Sequence, residues 1–303
     1  MDIKKTKAWI KASRIPAQTF IFPSILLGQL IRFSINGELN WYIFIFAHTY
    51  GLCMHLFIVY ANDYADYETD KLNTTYTAFT GGSRVLVEEI LTKKEVLFSS
   101  VVMAIMCVIM GAILSYYAGN WIILLLIILG ILLLQAYSFR PMKISYAGFG
   151  ELLQMIGVGI ILPLIGYVSQ GGGLKEFPWG IMIIILPSQL AMAISTSLPD
   201  APSDRMSSKR TTVVVLGEYK AKVLIVLLYI ISLVSMLIYN RTFFVEFNGF
   251  IFIFMVFALI LSQLFLSINY PIKPGSKMIS YSVLLSILTN TIIMLGISLI
   301  IFI

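Results

Sequence analysis

"YANDYADYETDK", Tyr60 to Lys71, follows directly on an apolar run and sets Asp63, Asp66, Glu68 and Asp70 within one short window. The whole chain contains six aspartates: these three, Asp200 and Asp204 in "SLPDAPSDR", and Asp2. Five of the six therefore stand at two places. Such confinement in an oily chain asks for a reason.

The 303 residues are 59% hydrophobic and 12% charged, with a mean hydropathy of +0.91. Soluble domains carry about 25% charged residues. Apolar runs of about 20 residues recur, the length a helix needs to cross roughly 30 Å of hydrocarbon. Candidate spans lie at about 16–34, 41–62, 95–117, 120–138, 148–169, 178–198, 221–240, 245–268 and 279–302. A chain in lipid must satisfy its backbone internally, and these runs lack the alternation of barrel strands. The expected fold class is all-α: a polytopic bundle of about nine transmembrane helices around a central cavity. No separate domain, long linker or low-complexity tail is visible, so a single membrane domain over residues 1–303 is expected. The two aspartate clusters are four spans apart, which hints at a duplicated helical unit.

The net charge of +6 is a topology signal and not a nucleic-acid footprint. Of 21 Lys and Arg, only Arg32, Lys175 and Arg241 fall outside the N-terminus and the connections near 63–94, 139–147, 199–220 and 269–278. The positive-inside rule makes that side cytoplasmic. The N-terminus and both aspartate clusters belong to it, in a multi-pass protein of the cell membrane. "MDIKKTKAWIKASRIPAQ" lacks a convincing small-residue cleavage site, so the first apolar segment reads as a span and not a removable signal. Cys53 and Cys107 lie in apolar segments and suggest neither a disulfide framework nor a metal pattern.

If the second span stays helical past Tyr60, Asp63, Asp66 and Asp70 fall within a 60° sector at 100° per residue, with Glu68 on another face (angles about as for an ideal helix). Asp200 and Asp204 are one turn apart. Five like charges brought together repel one another. Divalent cations between them would resolve the conflict, whereas a single such Asp would read as solvated surface. Carboxylates without His or Cys partners suit Mg²⁺, which keeps waters and binds through a few carboxylates plus substrate phosphate. Lys71, Arg84, Arg140, Lys143, Arg205, Lys209 and Arg210 lie on the same side. Acidic metal ligands mixed with Arg and Lys are what a diphosphate leaving group needs.

These segments resemble the UbiA superfamily of intramembrane prenyltransferases. "NDYADYETD" (62–70) fits its NDxxDxxxD motif and "DAPSD" (200–204) its DxxxD motif. "SRIPAQTFIFPSILLG" is similar to the family's first-helix opening, and "SDRMSSKRTTVVVLG" to the stretch after the second motif. "TGGSRVLVEEILT" and "YSFRPMKISYAGFGELL" are similar to connecting segments, particularly of the branch that prenylates dihydroxynaphthoate for menaquinone. The resemblance covers about 14–220. It implies that an isoprenyl diphosphate binds with Mg²⁺, that its C–O bond breaks to an allylic cation, and that an electron-rich acceptor carbon attacks, aromatic and quinone-type by this resemblance. It implies metal and diphosphate binding by Asn62, Asp63, Asp66, Asp70, Asp200 and Asp204, and diphosphate contact by Lys209, with Arg84 and Arg140 as further candidates for that contact; Lys71, directly after the first motif, is a substrate-side cation by its position alone. The chain departs from the family at Ser208, where Gly is usual before the Lys, at Arg140-Pro141 in place of a doubled proline, and at Ala147 in place of a common Arg. Pro199 and Pro202 flank Asp200, and Pro202, lacking an N–H, argues against a regular helix there.

His48, His55 and Asn62 form a seven-residue stripe on the second span. His55 is about 12 Å along the helix from Asp63, within reach of an acceptor or prenyl chain. Otherwise each His is a neutral imidazole bonded to a neighbouring helix. Glu151 and Gln154 face together at the start of the fifth span. Glu151 either meets the acceptor or orients a basic residue, or serves the helix dipole. Tyr137, Phe139, Tyr146 and Phe149 could face an allylic cation, though aromatics also gather at membrane interfaces. "TGGS" (80–83) could admit diphosphate to its backbone, while "SQGGGLK" (169–175) reads as a turn on the other side.

Two other outcomes fit parts of the pattern. Ionisation without an acceptor would make a terpene cyclase. Intramembrane acids could also couple an ion-driven transporter, although such sites usually lie near the midplane. For a prenyltransferase, removing any motif aspartate should leave a folded protein and cost roughly 100-fold or more in rate.

Overall fold

The computed structural model describes residues 3–15, 20–74, 81–239, 247–269 and 277–301. Among them there are helices and turns but no strand. A short basic helix, α1 (Ile3–Ala12), precedes α2 (Ile21–Asn36) and α3 (Trp41–Ala65). Next come the short α4 (Tyr67–Leu72), α5 (Lys93–Ala118) and α6 (Ile122–Ser138). The fifth apolar run is α7 (Gly150–Ile156), a π-helical turn (Gly157–Ile161) and α8 (Leu162–Ser169). Then follow α9 (Met182–Ser197), the short α10 (Ala201–Met206) and α11 (Thr212–Leu216), and the long α12 (Glu218–Tyr239), α13 (Phe247–Asn269) and α14 (Lys277–Ile301).

Each expected span overlaps one apolar helix. Seven are long and apolar enough to cross a membrane: α3, α5, the continuous Gly150–Ser169 run, Trp179–Ser197, α12, α13 and α14. The remaining two, α2 and α6, have 16 and 17 residues. At 1.5 Å per residue they reach about 25 Å, short of a full hydrocarbon core. Among the described residues, seven helices meet the requirement by length and composition.

Local sequence sets the ends. Asn40 caps α3 by accepting from the N–H groups of Tyr42 and Ile43. Thr92 and Glu95 cap α5 reciprocally. Packing pairs α3 with α5, α2 with α8, and α9 with α12 and α14. α2 and α8 lie so close that a Cβ on Gly28 would run into the Pro163 carbonyl. The largest apolar cluster links α2, α3, α8, α9 and α12. A smaller one seats Ala8 and Ala12 of α1 on Val59 and Tyr60, near the end of α3, and on Val85, Leu86 and Leu91. This second cluster anchors α1 and the 81–91 segment beside the first aspartate window. Both cysteines are free.

Candidate active site

α3 ends at Ala65, and Asp66 forms the turn into α4 with φ −95 and ψ 11. The chain almost continues as a helix, since Asp66 N donates to Asn62 O and Asp70 N to Asp66 O. Asp63, Asp66 and Asp70 therefore share a side, while Glu68 is exposed and meets Lys93 at 3.4 Å. At the second window the sequence expectation fails. Ala201–Met206 is a helix, with Asp200 at its N-cap and Pro202 in its first turn. First-turn N–H groups have no intrahelical partner, so the missing proton there costs no helix bond.

The two windows come together. Asn73 Nδ2 donates to Asp200 Oδ1 at 3.0 Å. Lys209 Nζ lies 3.0 Å from Asp66 Oδ2 and 3.9 Å from Asp204 Oδ1, so one buried ammonium spans both motifs. Ser208 enters this turn with φ 60, a left-handed conformation that favours Gly.

Asp63 lies deepest. It accepts from Arg14 and from the Ser83 backbone and hydroxyl. Asp66 accepts from Lys209, from Tyr146 OH at 3.1 Å and from Asn62 Nδ2 at 3.1 Å. Asp70 faces Gly82, whose φ is +68. A Cβ there would strike the Asp70 carboxylate and approach Arg14 at 3.3 Å.

These partners divide the carboxylates electrostatically. Burial alone would raise Asp66, but the Lys209 charge and the bonds from Lys209 and Tyr146 hold it below the usual range. Burial raises Asp70 to about 7, with Asp66 and Asp63 adding to it against the pull of Arg14. Burial and Asp204 raise Asp200 to about 8. Burial raises Asp204 to about 6, opposed by Lys209. Lys209 is held well above its ordinary value by Asp66, Tyr137 and Asp204 despite its burial.

A cavity of about 300 Å³ opens on Asp66, Asp70, Asp200, Asp204, Asn62 and Lys209. It continues past His55 and Met54 to Tyr50. From Asn62 to Tyr50 that course follows about 18 Å of α3, at 1.5 Å per residue. Its deeper walls are largely apolar, including Ile58, Leu133, Ile161 and Leu162.

Other sequence candidates are placed as follows. His55 lines the cavity and its Nε2 is 2.6 Å from Ser13 O. His48 bonds Gln29 Oε1 at 3.0 Å between Phe22 and Phe44, away from the cavity lining. Glu151, Gln154, Tyr137, Gly81 and Gly82 line the cavity; Thr80 lies outside the described residues, as does the 16–19 part of the first-helix opening. Arg84 Nη1 instead donates to the carbonyls of Asp70 and Asn73, at the end of α4. Arg140 is exposed before Pro141, and exposed Lys71 lies over the Tyr67 ring. None of these three is among the described cavity-lining residues.

Arg14, Ser83, Asn73 and the Tyr146 hydroxyl were not singled out for these contacts by sequence. Arg14 stands in the quoted "SRIPAQ" stretch, but nothing local marks it as the partner of a carboxylate 49 residues away. The sequence offers Tyr146 as an aromatic face, whereas the structure uses its hydroxyl on Asp66.

The model of the UbiA prenyltransferase family matches residues 21–290. The chain belongs to that family. A 2-carboxy-1,4-naphthoquinone phytyltransferase from Synechocystis sp. is 24% identical over 240 residues, covering 76% of this chain and 74% of the relative. The apo UbiA homologue from Aeropyrum pernix K1 superposes with a TM-score of 0.72 at 17% identity, over 93% of this chain and 97% of the other. The Archaeoglobus fulgidus homologue bound to DMAPP and Mg²⁺ gives 0.68 at 14% identity, over 94% and 98%. The fold is thus that of intramembrane prenyltransferases, and this is a multi-pass prenyltransferase.

Proposed function

We propose that this prenyltransferase moves an isoprenyl group from its diphosphate to an aromatic, quinone-type acceptor such as 1,4-dihydroxy-2-naphthoate, with Mg²⁺ at the paired aspartate motifs. The observation that carries the reading is the junction of two acidic windows over the mouth of a long apolar cavity. The whole chain acts as one catalytic unit in the cell membrane, with both motifs and the N-terminus cytoplasmic.

The donor set fits the ion in a particular way. Asp70, Asp200 and Asp204 have carboxyl pKa values raised by burial and by neighbouring acids, a conflict that a divalent cation relieves. Among the described residues, no three acidic or imidazole groups form a ready cage for an ion. Mg²⁺ commonly takes one or two carboxylates and completes its shell with waters and substrate phosphate, so a full protein cage is not required of these residues. When bound, it supplies neutralising charge to the diphosphate oxygens. Asp70, Asp200 and Asp204 would hold it, with Asn62, Asp63 and Asp66 completing or bracing the site. Lys209 offers its ammonium to the leaving oxygens at the mouth. The apolar walls receive the prenyl tail and exclude water from the allylic cation, with the Tyr137 ring available to its charge. The Synechocystis relative acts on a naphthoquinone-type compound by name, which supports the acceptor class.

The test is mass spectrometry of products from the purified protein in lipid, given prenyl diphosphates of several lengths, with and without Mg²⁺ and the naphthoate. Prenylated naphthoate formed only with Mg²⁺ is the expected result. Cyclised hydrocarbon or alcohol formed without acceptor would assign a terpene cyclase instead. Donor left intact under every condition would defeat the proposal.

A further inference from the structure

Resting on that transfer reading, we infer that Glu151 is the group that takes the proton from a hydroxyl of the aromatic acceptor as the carbon–carbon bond forms. Glu151 stands in the first turn of α7 and is 5% exposed. Its Oε1 accepts from Thr212 N at 2.8 Å and from Ser197 Oγ at 3.3 Å. Its Oε2 is buried and has no hydrogen-bond partner among the described residues. Glu151 lines the same cavity as the aspartates, beside Tyr137, Gln154, Ser197 and Thr211.

The arrangement is specific. Thr212 N holds the carboxylate by one oxygen, with help from the Ser197 hydroxyl, whose single proton is shared with Ile194 O at 2.9 Å, and the other oxygen keeps its full accepting capacity. A buried carboxylate oxygen with no donor is unfavourable, and is accounted for where a ligand supplies that donor. No lysine or arginine among the described residues is ion-paired with Glu151, in contrast to Asp63 and Asp66. The aspartates at the mouth are suited to cation and diphosphate, so Glu151 is the cavity acid left for the other substrate. A phenolic or naphtholic O–H is the donor that such an oxygen would receive.

The chemistry balances. The prenyl C–O bond breaks and its electron pair leaves with diphosphate. The acceptor O–H bond gives its proton to Glu151 Oε2, and its electron pair becomes the second bond of a ring ketone. The displaced ring π pair forms the new bond to the prenyl carbon. That ring carbon then loses its hydrogen to the departing diphosphate, and the ketone oxygen regains a proton from Glu151 as the ring becomes aromatic again. Glu151 ends as it began, and one ring proton leaves with diphosphate.

The experiment compares wild type, Glu151→Gln and Glu151→Asp in lipid nanodiscs with geranylgeranyl diphosphate, Mg²⁺ and 1,4-dihydroxy-2-naphthoate. Donor binding is read as a Mg²⁺-dependent thermal shift, and transfer as product at saturating acceptor. Glu151→Gln should keep the donor shift and lose about 100-fold or more of kcat, the usual scale for a general base, with Glu151→Asp in between. Glu151→Gln transferring within about 3-fold of wild type would overturn the assignment, because a base contributes more than that. Loss of the donor shift in parallel with transfer would also overturn it, since that marks a structural prop. A second measurement needs no variant: the dimethyl ether of the naphthoate, offered to wild type, should block transfer without being prenylated. Prenylation of the ether at a comparable rate would overturn the assignment. Wild type that leaves every donor intact would defeat the transfer reading, and this assignment with it. That failure is told apart by the silence of the wild type itself.

Discussion

The two aspartate windows face one cavity but are built differently. In the first, Asp63 and Asp66 are already occupied: Asp63 by Arg14 and Ser83, Asp66 by Lys209, Tyr146 and Asn62. In the second, Asp200 receives one bond from Asn73, and Asp204 has Lys209 at 3.9 Å with the Thr211 hydroxyl nearby. The difference appears in the charges they can carry. Asp66 is held low by Lys209, whereas Asp200 is raised by burial and by Asp204, and Asp204 by burial, Asp66 and Glu151. A motif aspartate can thus be part of the scaffold or part of the open charge deficit that a cation fills. Asp70 belongs with the second group despite its place in the first motif.

The strongest way to break this division is at Asp63. Asp63→Ala would leave the Ser83 hydroxyl without its acceptor and Arg14 with only the longer bond to Asn62 Oδ1 at 3.4 Å. Removing one partner of a buried ion pair typically costs about 3–5 kcal/mol. Asp63 is 3% exposed, so solvent offers little compensation. The variant should unfold at clearly lower temperature in detergent, and lose activity through loss of fold. This revises the expectation that any motif aspartate can be removed from a folded protein. A thermal midpoint equal to wild type would show that the Arg14 pair is not holding the first window together.

Asp200→Asn probes the other side. Asp200 has its carboxyl raised to about 8, so at pH 7 and without a cation it is mostly neutral, and Asn imitates that form. The sign follows from linkage. Between about pH 4, where the unfolded chain releases this proton, and about 8, the metal-free wild type loses stability as pH rises, because only the folded state still holds the proton. Asp200→Asn should remove that slope in EDTA and be at least as stable as wild type at pH 7. Its turnover with Mg²⁺ should fall roughly 100-fold, equivalent to about 2.7 kcal/mol of transition-state stabilisation. Near-normal turnover would put Asp200 outside the reacting site.

The helices and the acidic windows were legible in sequence for a common reason. In a chain this apolar, long oily runs and rare charges each stand out against their background. The limits are equally physical. α2 and α6 read as spans by hydropathy and are apolar helices of 16 and 17 described residues, ended at Gly37 and Phe139. Pro202 reads as a helix breaker in sequence because its place in the first turn depends on where α10 begins. Arg84 has the composition of a diphosphate ligand, but its guanidinium goes to backbone carbonyls. Arg14 could not be matched to Asp63 because the pairing is made by the docking of α1, and not by any spacing. Glu151 was visible as a candidate, but its one free oxygen depends on Thr212 and Ser197 arriving from elsewhere.

The smallest expected effect sharpens the role of the lysine shared by the two windows. Ser208 is exposed and sits at φ 60, directly before Lys209. A left-handed conformation costs a residue with a Cβ about 1 kcal/mol or somewhat more. Glycine removes that strain but adds freedom to the unfolded chain, which offsets about 0.4–1 kcal/mol. Ser208→Gly should therefore change stability by no more than about 1 kcal/mol, toward greater stability, on the balance of those two terms. The turn is set by backbone bonds, Ser208 N to Arg205 O and Lys209 N to Asp204 O. Lys209 should keep its place between Asp66 and Asp204, and turnover should stay within about twofold, since the barrier is moved by well under 1 kcal/mol. A tenfold fall would mean that the Ser208 hydroxyl itself meets substrate. The sparsely bonded window would then have a partner beyond Lys209 and Asn73, and its contrast with the first would narrow.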